Sequence, residues 1–175
     1  MLQYSDLLDT LKKLDEEVSL LYGDKQESFE LYIAGGSGLA LLNVIDRGTH
    51  DIDAIYASID ILDLLEKYDI NCRIQTYEDL FPYNYQNRLQ RLDIPFRKMK
   101  YYVVSLEDII ISKLFAARNT DIQDITNPGV LSSINRERLK NIVTDPDEIM
   151  PDFPNEHRYA FFMQNYKDYI EEYKK

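Results

Sequence analysis

Cysteine is almost missing from this sequence. Cys72 is the one thiol in 175 residues, which excludes an internal disulfide framework and any multi-thiolate zinc site. Histidine is nearly as scarce, with His50 and His157 alone, so a histidine-rich metal site is excluded as well. No apolar run approaches the roughly 20 residues that a membrane-spanning helix needs. The start, Met1-Leu2-Gln3-Tyr4-Ser5-Asp6, has neither the basic opening nor the apolar stretch of a signal peptide. The expectation is a soluble cytoplasmic protein that does not engage a membrane. Repeats and low-complexity tracts are absent too, and the length suits one domain with a small helical appendage.

Positive charge is in the minority. Lys plus Arg is 20 against 31 for Asp plus Glu, a formal charge of −11. Such a surface repels a phosphate backbone on average, which speaks against a general nucleic-acid coating protein. The balance reverses locally between Arg88 and Arg118, where Arg88, Arg91, Arg97, Lys98, Lys100, Lys113 and Arg118 face only Asp93, Glu107 and Asp108. That stretch either balances an acidic face elsewhere or meets an anion. Apolar residues make up 45%, enough for a packed core.

Periodicity outlines the elements. Leu7, Leu8, Leu11, Leu14, Val18, Leu21 and Tyr22 recur at helical steps between Ser5 and the stop at Gly23. Phe29 to Ala34 alternates as a strand and runs into Gly35-Gly36-Ser37-Gly38, after which Leu39 to Ile45 reads as a buried helix. Asp51 to Tyr56 alternates again as a second strand, and Ile61 to Tyr68 is a short helix. Asn71 to Asn87 gives weak signals. Arg88–Ile94 and Met99–Val104 read as two antiparallel strands joined around Pro95-Phe96-Arg97. Ser105, with Asp108 three residues on, opens a strong helix. Asn127-Pro128-Gly129 breaks the chain, and helices follow near Asn135–Val143 and Glu156–Tyr173, linked by the Pro-containing stretch Asp145–Pro154. The expected fold class is α/β (α+β): a small mixed sheet flanked by helices, with a helical C-terminal part. Residues 1–126 form the main unit with its N-terminal helix, and 127–175 a helical extension packed on it.

Two features carry chemistry. A strand that turns into a helix through Gly35-Gly36-Ser37 lets backbone amides approach an anion closely, beside the partial positive charge of the helix start and the Ser37 hydroxyl. The turn is neither a Walker loop nor a dinucleotide fingerprint. The next strand carries Asp51-Ile52-Asp53, two carboxylates on one face, roughly 6–7 Å apart along the chain. Beside an anion-cradling turn, such a pair can hold one or two magnesium ions against a triphosphate. On the helix after Ser105, Lys113 falls inside the apolar arc of Leu106, Ile109, Ile110 and Leu114. It either snorkels to the surface or is aimed at a negative group. Tyr83, Tyr85, Tyr101 and Tyr102 are available for base stacking, packing or a rim, and His50 reads as a loop residue.

The segment Ile33–Ile55 resembles the signature of the polymerase-β-type nucleotidyltransferase superfamily: a Gly-Gly/Ser turn, a spacer helix, then Asp-hydrophobic-Asp. Arg47-Gly48-Thr49-His50-Asp51-Ile52-Asp53 matches the Arg-x-Thr-x-Asp-hydrophobic-Asp form. Leu106 to Leu114, then Arg118, Asp121 and Asp124, is similar to a later motif of the AbiEii-like, toxin-type branch. The chain departs from that branch at Thr120, where a lysine precedes the motif's Asp. Asp93 is the sole nearby strand candidate for the third carboxylate of polymerase-like members. The resemblance implies transfer of a nucleoside monophosphate from an NTP, with Mg2+ (or Mn2+) held by Asp51 and Asp53. It implies catalytic roles for Asp51, Asp53, Lys113 and Asp121, and nucleotide binding by Gly35, Gly36, Ser37, Arg47, Thr49 and Lys113. The implied partners are an RNA (tRNA) or protein acceptor and, for a toxin, a cognate antitoxin. A catalytically degenerate binding module on the same fold, and a small-molecule nucleotidyltransferase, remain the alternative readings.

Overall fold

The computed structural model describes residues 1–23, 28–72, 80–149 and 156–173. Five strands, β1 (Phe29–Ile33), β2 (Ile52–Ala57), β3 (Ile70–Cys72), β4 (Gln90–Arg91) and β5 (Met99–Val103), form one sheet in the order β3-β2-β1-β5-β4. The sheet is mixed. β1 runs antiparallel to β2 and parallel to β5, β3 is parallel to β2, and β4 is antiparallel to β5. Alternation gives it a buried face, with Leu31, Ile33, Met99, Tyr101 and Val103 inward.

Helix α1 (Tyr4–Tyr22) covers that face because Leu7, Leu11, Leu14 and Val18 fall on one stripe and are fully buried. It starts at Gln3, whose N–H donates to Asp6 at 2.8 Å, rather than at Ser5, and ends at Gly23 with φ +54°. Its buried Asp15 accepts the N–H groups of Arg97, Lys98 and Met99 at 2.8–2.9 Å, which pins the β4–β5 loop to the helix. Helix α2 (Gly35–Leu41) begins at the first glycine, so Gly35 to Gly38 are its opening turns and not a separate loop. The chain leaves the helix at Leu42, and Asn43 has φ 57°, so the expected helix through Ile45 stops short. Between β2 and β3 lies α3 (Leu62–Leu65), flanked by short 3₁₀ turns.

Helix α4 (Leu106–Ala116) is the spine of the molecule. Ser105 caps it, accepting the Asp108 N–H and donating its hydroxyl to the Asp108 carboxylate at 2.6 Å. Every residue from Leu106 to Phe115 is buried, where the sequence shows only an apolar arc. The reason is tertiary. The sheet covers one side, and the C-terminal helices α7 (Arg136–Thr144) and α9 (Glu156–Glu172) cover the other. Phe115 stacks on Phe162 at 3.9 Å, and Asn165 donates its amide to the Leu114 carbonyl. Three short helices complete the described residues: α5 (Asn119–Ile125), α6 (Pro128–Ser133) and α8 (Pro146–Ile149). The polar residues of α4 are satisfied in place. Asp108 meets Arg88, which also pairs with Glu148 of α8, and Glu107 accepts the Asn135 N–H.

The opposite face of the sheet carries Glu30, Tyr32, Tyr56, Lys100 and Tyr102, all partly exposed. Among the described residues no helix is long and apolar enough to cross a membrane.

Candidate functional site

At the end of the sheet where β1 enters α2, a cavity of about 250 Å³ opens. Its polar wall is Asp51, Asp53, Asn71, Ser112, Lys113, Arg118 and Asp121, and its apolar wall is Ile55, Leu80, Phe81 and Ala116, with Ala34 and Gly35 at the strand–helix turn. Sequence-distant residues meet here for a topological reason. The start of β2, the end of β1, the start of β3 and the helix that follows β5 all reach this end of the sheet. A second, more open groove, about 520 Å³, adjoins the outer side of Asp51 and carries Glu66 and Asp69.

Asp53 is held by its backbone. Its N–H donates to the Ser37 hydroxyl at 3.0 Å, that hydroxyl donates to the Ala34 carbonyl, and the Asp53 carbonyl accepts the Ala34 N–H. The approach is so close that a Cβ built on Gly35 would stand 2.4 Å from Asp53 Oδ2. Gly35 also has φ +59°, so both the space and the backbone there require glycine. The amides of Gly35, Gly36 and Ser37 precede the first intrahelical bond, from Gly38 N–H to the Ala34 carbonyl.

Burial, and then the negative charge of Asp51, push the Asp53 carboxyl up to about 6, against the pull of Lys113 and Arg118. Two carboxylates thus share a site with too little positive charge. Among the described residues no three His, Cys, Asp or Glu side chains converge into a closed cage. An open pair of hard oxygen donors fits a cation that also keeps substrate phosphates and water, which is the way magnesium is commonly held. Affinity for a divalent cation should therefore fall as pH drops through about 6, by about tenfold per unit, as a proton competes for Asp53. Calorimetric titration with Mn2+ at several pH values checks this, and an affinity constant down to pH 5 would contradict it.

Across the cavity lies a buried ionic network. Lys113 Nζ donates to Asp121 and to Asp124, each at 2.9 Å, and its side chain is 8% exposed. Arg47 makes two hydrogen bonds to Asp124 at 2.6 Å, and Arg118 pairs with Asp121 at 2.7 Å. Burial opposes ionisation of Asp121, but the hydrogen bonds from Arg118 and Lys113 hold its carboxyl below the usual range. Helix α5 makes this possible, since Asp121 and Asp124 sit three apart on it and both face α4.

The structure shows where each expected residue lies and what it touches. Asp51, Asp53, Gly35, Lys113 and Asp121 line the one cavity. Ser37 is fully buried with its hydroxyl engaged on both sides, accepting the Asp53 N–H and donating to the Ala34 carbonyl. Gly36 is buried against Thr49 and Arg47. Thr49 is buried too, donates to the Asp51 carbonyl, and pairs its backbone with Leu2. Arg47 gives its guanidinium to Asp124. Lys113 finds its ion-pair partners in Asp121 and Asp124 rather than in Asp51 or Asp53, because α5 packs directly against its helix and reaches the ammonium first. Asp93 is exposed beyond the end of the two-residue strand β4 and is not part of the cavity, which corrects its candidacy as a third carboxylate. Arg118, which a helical wheel places on the far side of α4, reaches the cavity because α4 ends at Ala116 and the chain turns through Ala117, φ 46°. Asn71, Leu80 and Phe81 carry no sequence signal of their own. Asn71 was findable only through the pairing of Asp53 with it.

With the geometry in place, comparison with known proteins gives the family. The chain matches, over residues 9–174, the family described as Nucleotidyltransferase of unknown function (DUF6036), and it belongs to that family. No curated protein and no solved structure matches it.

Proposed function

We propose, from that family membership and from this cavity, that the protein transfers a nucleoside monophosphate from a nucleoside triphosphate to an acceptor hydroxyl. The observation that carries the reading is the placing of Asp51 and Asp53 in one cavity with the Gly35 turn, Lys113 and Arg118. The acceptor oxygen attacks the α-phosphorus, the bond from that phosphorus to the bridging oxygen breaks, and pyrophosphate leaves with the electron pair. The acceptor's proton passes to solvent. Asp51 and Asp53 would hold Mg2+ or Mn2+, which when bound supplies Lewis-acid stabilisation of charge on the phosphoryl oxygens. Gly35 allows the backbone to approach the phosphates. Lys113 and Arg118 offset charge on the leaving group, and Asp121 fixes both cations in position. Arg47, Ser37 and Thr49 act on the ligand indirectly: Arg47 by orienting Asp124, Ser37 by holding the Asp53 backbone, and Thr49 by holding that of Asp51. Leu80 and Phe81 offer an apolar wall to the base.

The toxin-type, AbiEii-like branch is the finer assignment, supported by the pairing of Lys113 with Asp121 and Asp124 on the following helix; a cognate antitoxin is the partner that branch implies. Among the described residues none after Asp121 lines the cavity, which supports treating 127–175 as an extension on a catalytic unit of 1–126. One observation favours the non-catalytic module: Lys113 is already satisfied by two carboxylates, and among the described residues no third carboxylate joins Asp51 and Asp53 in a group that could hold a metal, Asp121 being paired with Lys113 and Arg118. The deciding experiment incubates the protein with each α-labelled NTP, Mg2+ or Mn2+, and either total RNA or cell protein. Label should enter one macromolecular fraction with the wild type and not with Asp51→Asn. Nucleotide binding without transfer to any acceptor would give the module reading the lead.

A further inference from the structure

We infer that the acceptor is a single-stranded nucleic acid, and that it lies on the face of the sheet opposite α1 with its bases against Tyr56, Tyr32 and Tyr102. The inference rests on the transferase reading and names its substrate class.

The strand register puts the three tyrosines in one row. Tyr56 pairs with Tyr32 across β2 and β1, Tyr32 with Tyr102 across β1 and β5, and Tyr102 with Arg91 on β4. Three aromatic rings and a guanidinium thus cross four adjacent strands at one level. Tyr56 and Tyr32 stand 4.5 Å apart with their planes at 32°, and Tyr102 meets Tyr32 edge-on at 5.4 Å. All three rings are partly exposed. Among the described residues the hydroxyls of Tyr56 and Tyr102 have no hydrogen-bond partner, and neither Arg91 nor Lys100 has an ion-pair partner. Glu30, on the neighbouring level, already accepts from the Tyr32 hydroxyl at 2.9 Å.

An aromatic row beside unpaired cations fits one ligand chemistry. Bases stack on the rings whatever their sequence, and the phosphates meet Arg91 and Lys100. The row also leads to the reacting centre. β2 carries a bulge at Ile55, since Tyr32 pairs with Tyr56 while Ile33 pairs with Ala54. That extra residue lets Asp53 and Tyr56, three apart, share the less buried side, while Ile52, Ala54 and Ala57 are buried. The platform therefore begins roughly 10 Å along β2 from Asp53. The groove on the outer side of Asp51 carries Glu66 and Asp69 and would repel a polyanion, which leaves the tyrosine face as its approach. A terminal hydroxyl of the bound strand then makes the attack described above, and the strand gains one nucleotide as pyrophosphate departs.

The test is fluorescence anisotropy with labelled oligouridylate, oligoadenylate and oligothymidylate, and with a duplex of equal length. Single strands should bind at least about tenfold tighter than the duplex. Tyr56→Ala and Tyr102→Ala should each weaken binding by about tenfold, while the Phe variants should bind as the wild type does. Arg91→Glu should weaken binding and flatten its salt dependence. Thermal melting verifies folding, and Tyr102→Leu, which keeps apolar bulk but no ring, stands in for an alanine variant that melts. Asp51→Asn should retain strand binding and lose nucleotide addition to the strand. Absent strand binding, a duplex preferred over single strands, or affinity indifferent to the rings would overturn the inference, as would transfer to protein alone. Ring-dependent strand binding with no transfer to any acceptor would instead sink the transferase reading on which it rests.

Discussion

Asp53→Asn should make the protein more stable at neutral pH and at the same time inactive. Asp53 has a carboxyl raised from 3.8 to about 6 by burial and by Asp51, so the folded state binds a proton more tightly there than the unfolded chain does. The favourable contribution of the protonated group is complete below the unfolded value and is lost as pH rises through about 6. At pH 7 the ionised carboxylate therefore costs about 2–3 kcal/mol, which asparagine relieves. A melting temperature several degrees above the wild type, with the gain vanishing toward pH 4, is the expected result. Nucleotide transfer should fall by about a thousandfold or more, equivalent to about 4 kcal/mol of lost charge stabilisation. A variant less stable than the wild type would show that Asp53 is a structural carboxylate and not the strained half of a cation site.

Lys113→Met should cost about 3–5 kcal/mol, although methionine preserves the packing of the stem. The ammonium bridges Asp121 and Asp124, both almost fully buried, and its removal leaves two carboxylates facing each other. Arg118 and Arg47 remain as partners but are 68% and 45% exposed, so solvent weakens their hold. Helix α5 should loosen first, and chemical denaturation should show a lowered midpoint. Adding Asp124→Asn to Lys113→Met should recover a good part of the loss, because the two groups form one unit in a double-mutant cycle. Additive losses would mean that the network contributes nothing beyond its separate parts. The stability result also governs the reading of activity. A fall in turnover for Lys113→Met is chemical only if the folded fraction is intact at the assay temperature.

Much of the fold was legible because its signals are local. The stripe of Leu7, Leu11, Leu14 and Val18, the alternation through Phe29–Ile33, the Ser105 cap and the Asn127-Pro128-Gly129 break each act within a few residues. Asp51 and Asp53 were legible for the same reason, since adjacency on the chain already places them together. Ser37 and Arg47 were named by the sequence as nucleotide contacts, but their partners within the protein were not legible there. A motif fixes which residue stands at a position, whereas its partner is chosen by whatever packs against it. Here the Asp53 amide takes the Ser37 hydroxyl, and Asp124, from a helix distant in sequence, takes the Arg47 guanidinium.

The sequence by itself determined the types of the longer elements, the strand–glycine–helix turn and the acidic pair, because dihedral preference, side-chain period and covalent spacing settle these without distant contacts; the strand Ile70–Cys72 and the helix Asn119–Ile125 carry no such local signal. Tertiary structure alone decided the charge of the site and the face of the sheet that serves it. Docking α5 on α4 converts Lys113 from a lone cation into the centre of a buried network. The slip of register at Ile55 turns Tyr56 to the side of Asp53, although strict alternation assigns them to opposite faces. Both outcomes depend on long-range pairing, in which a shift of one residue reverses what a side chain meets.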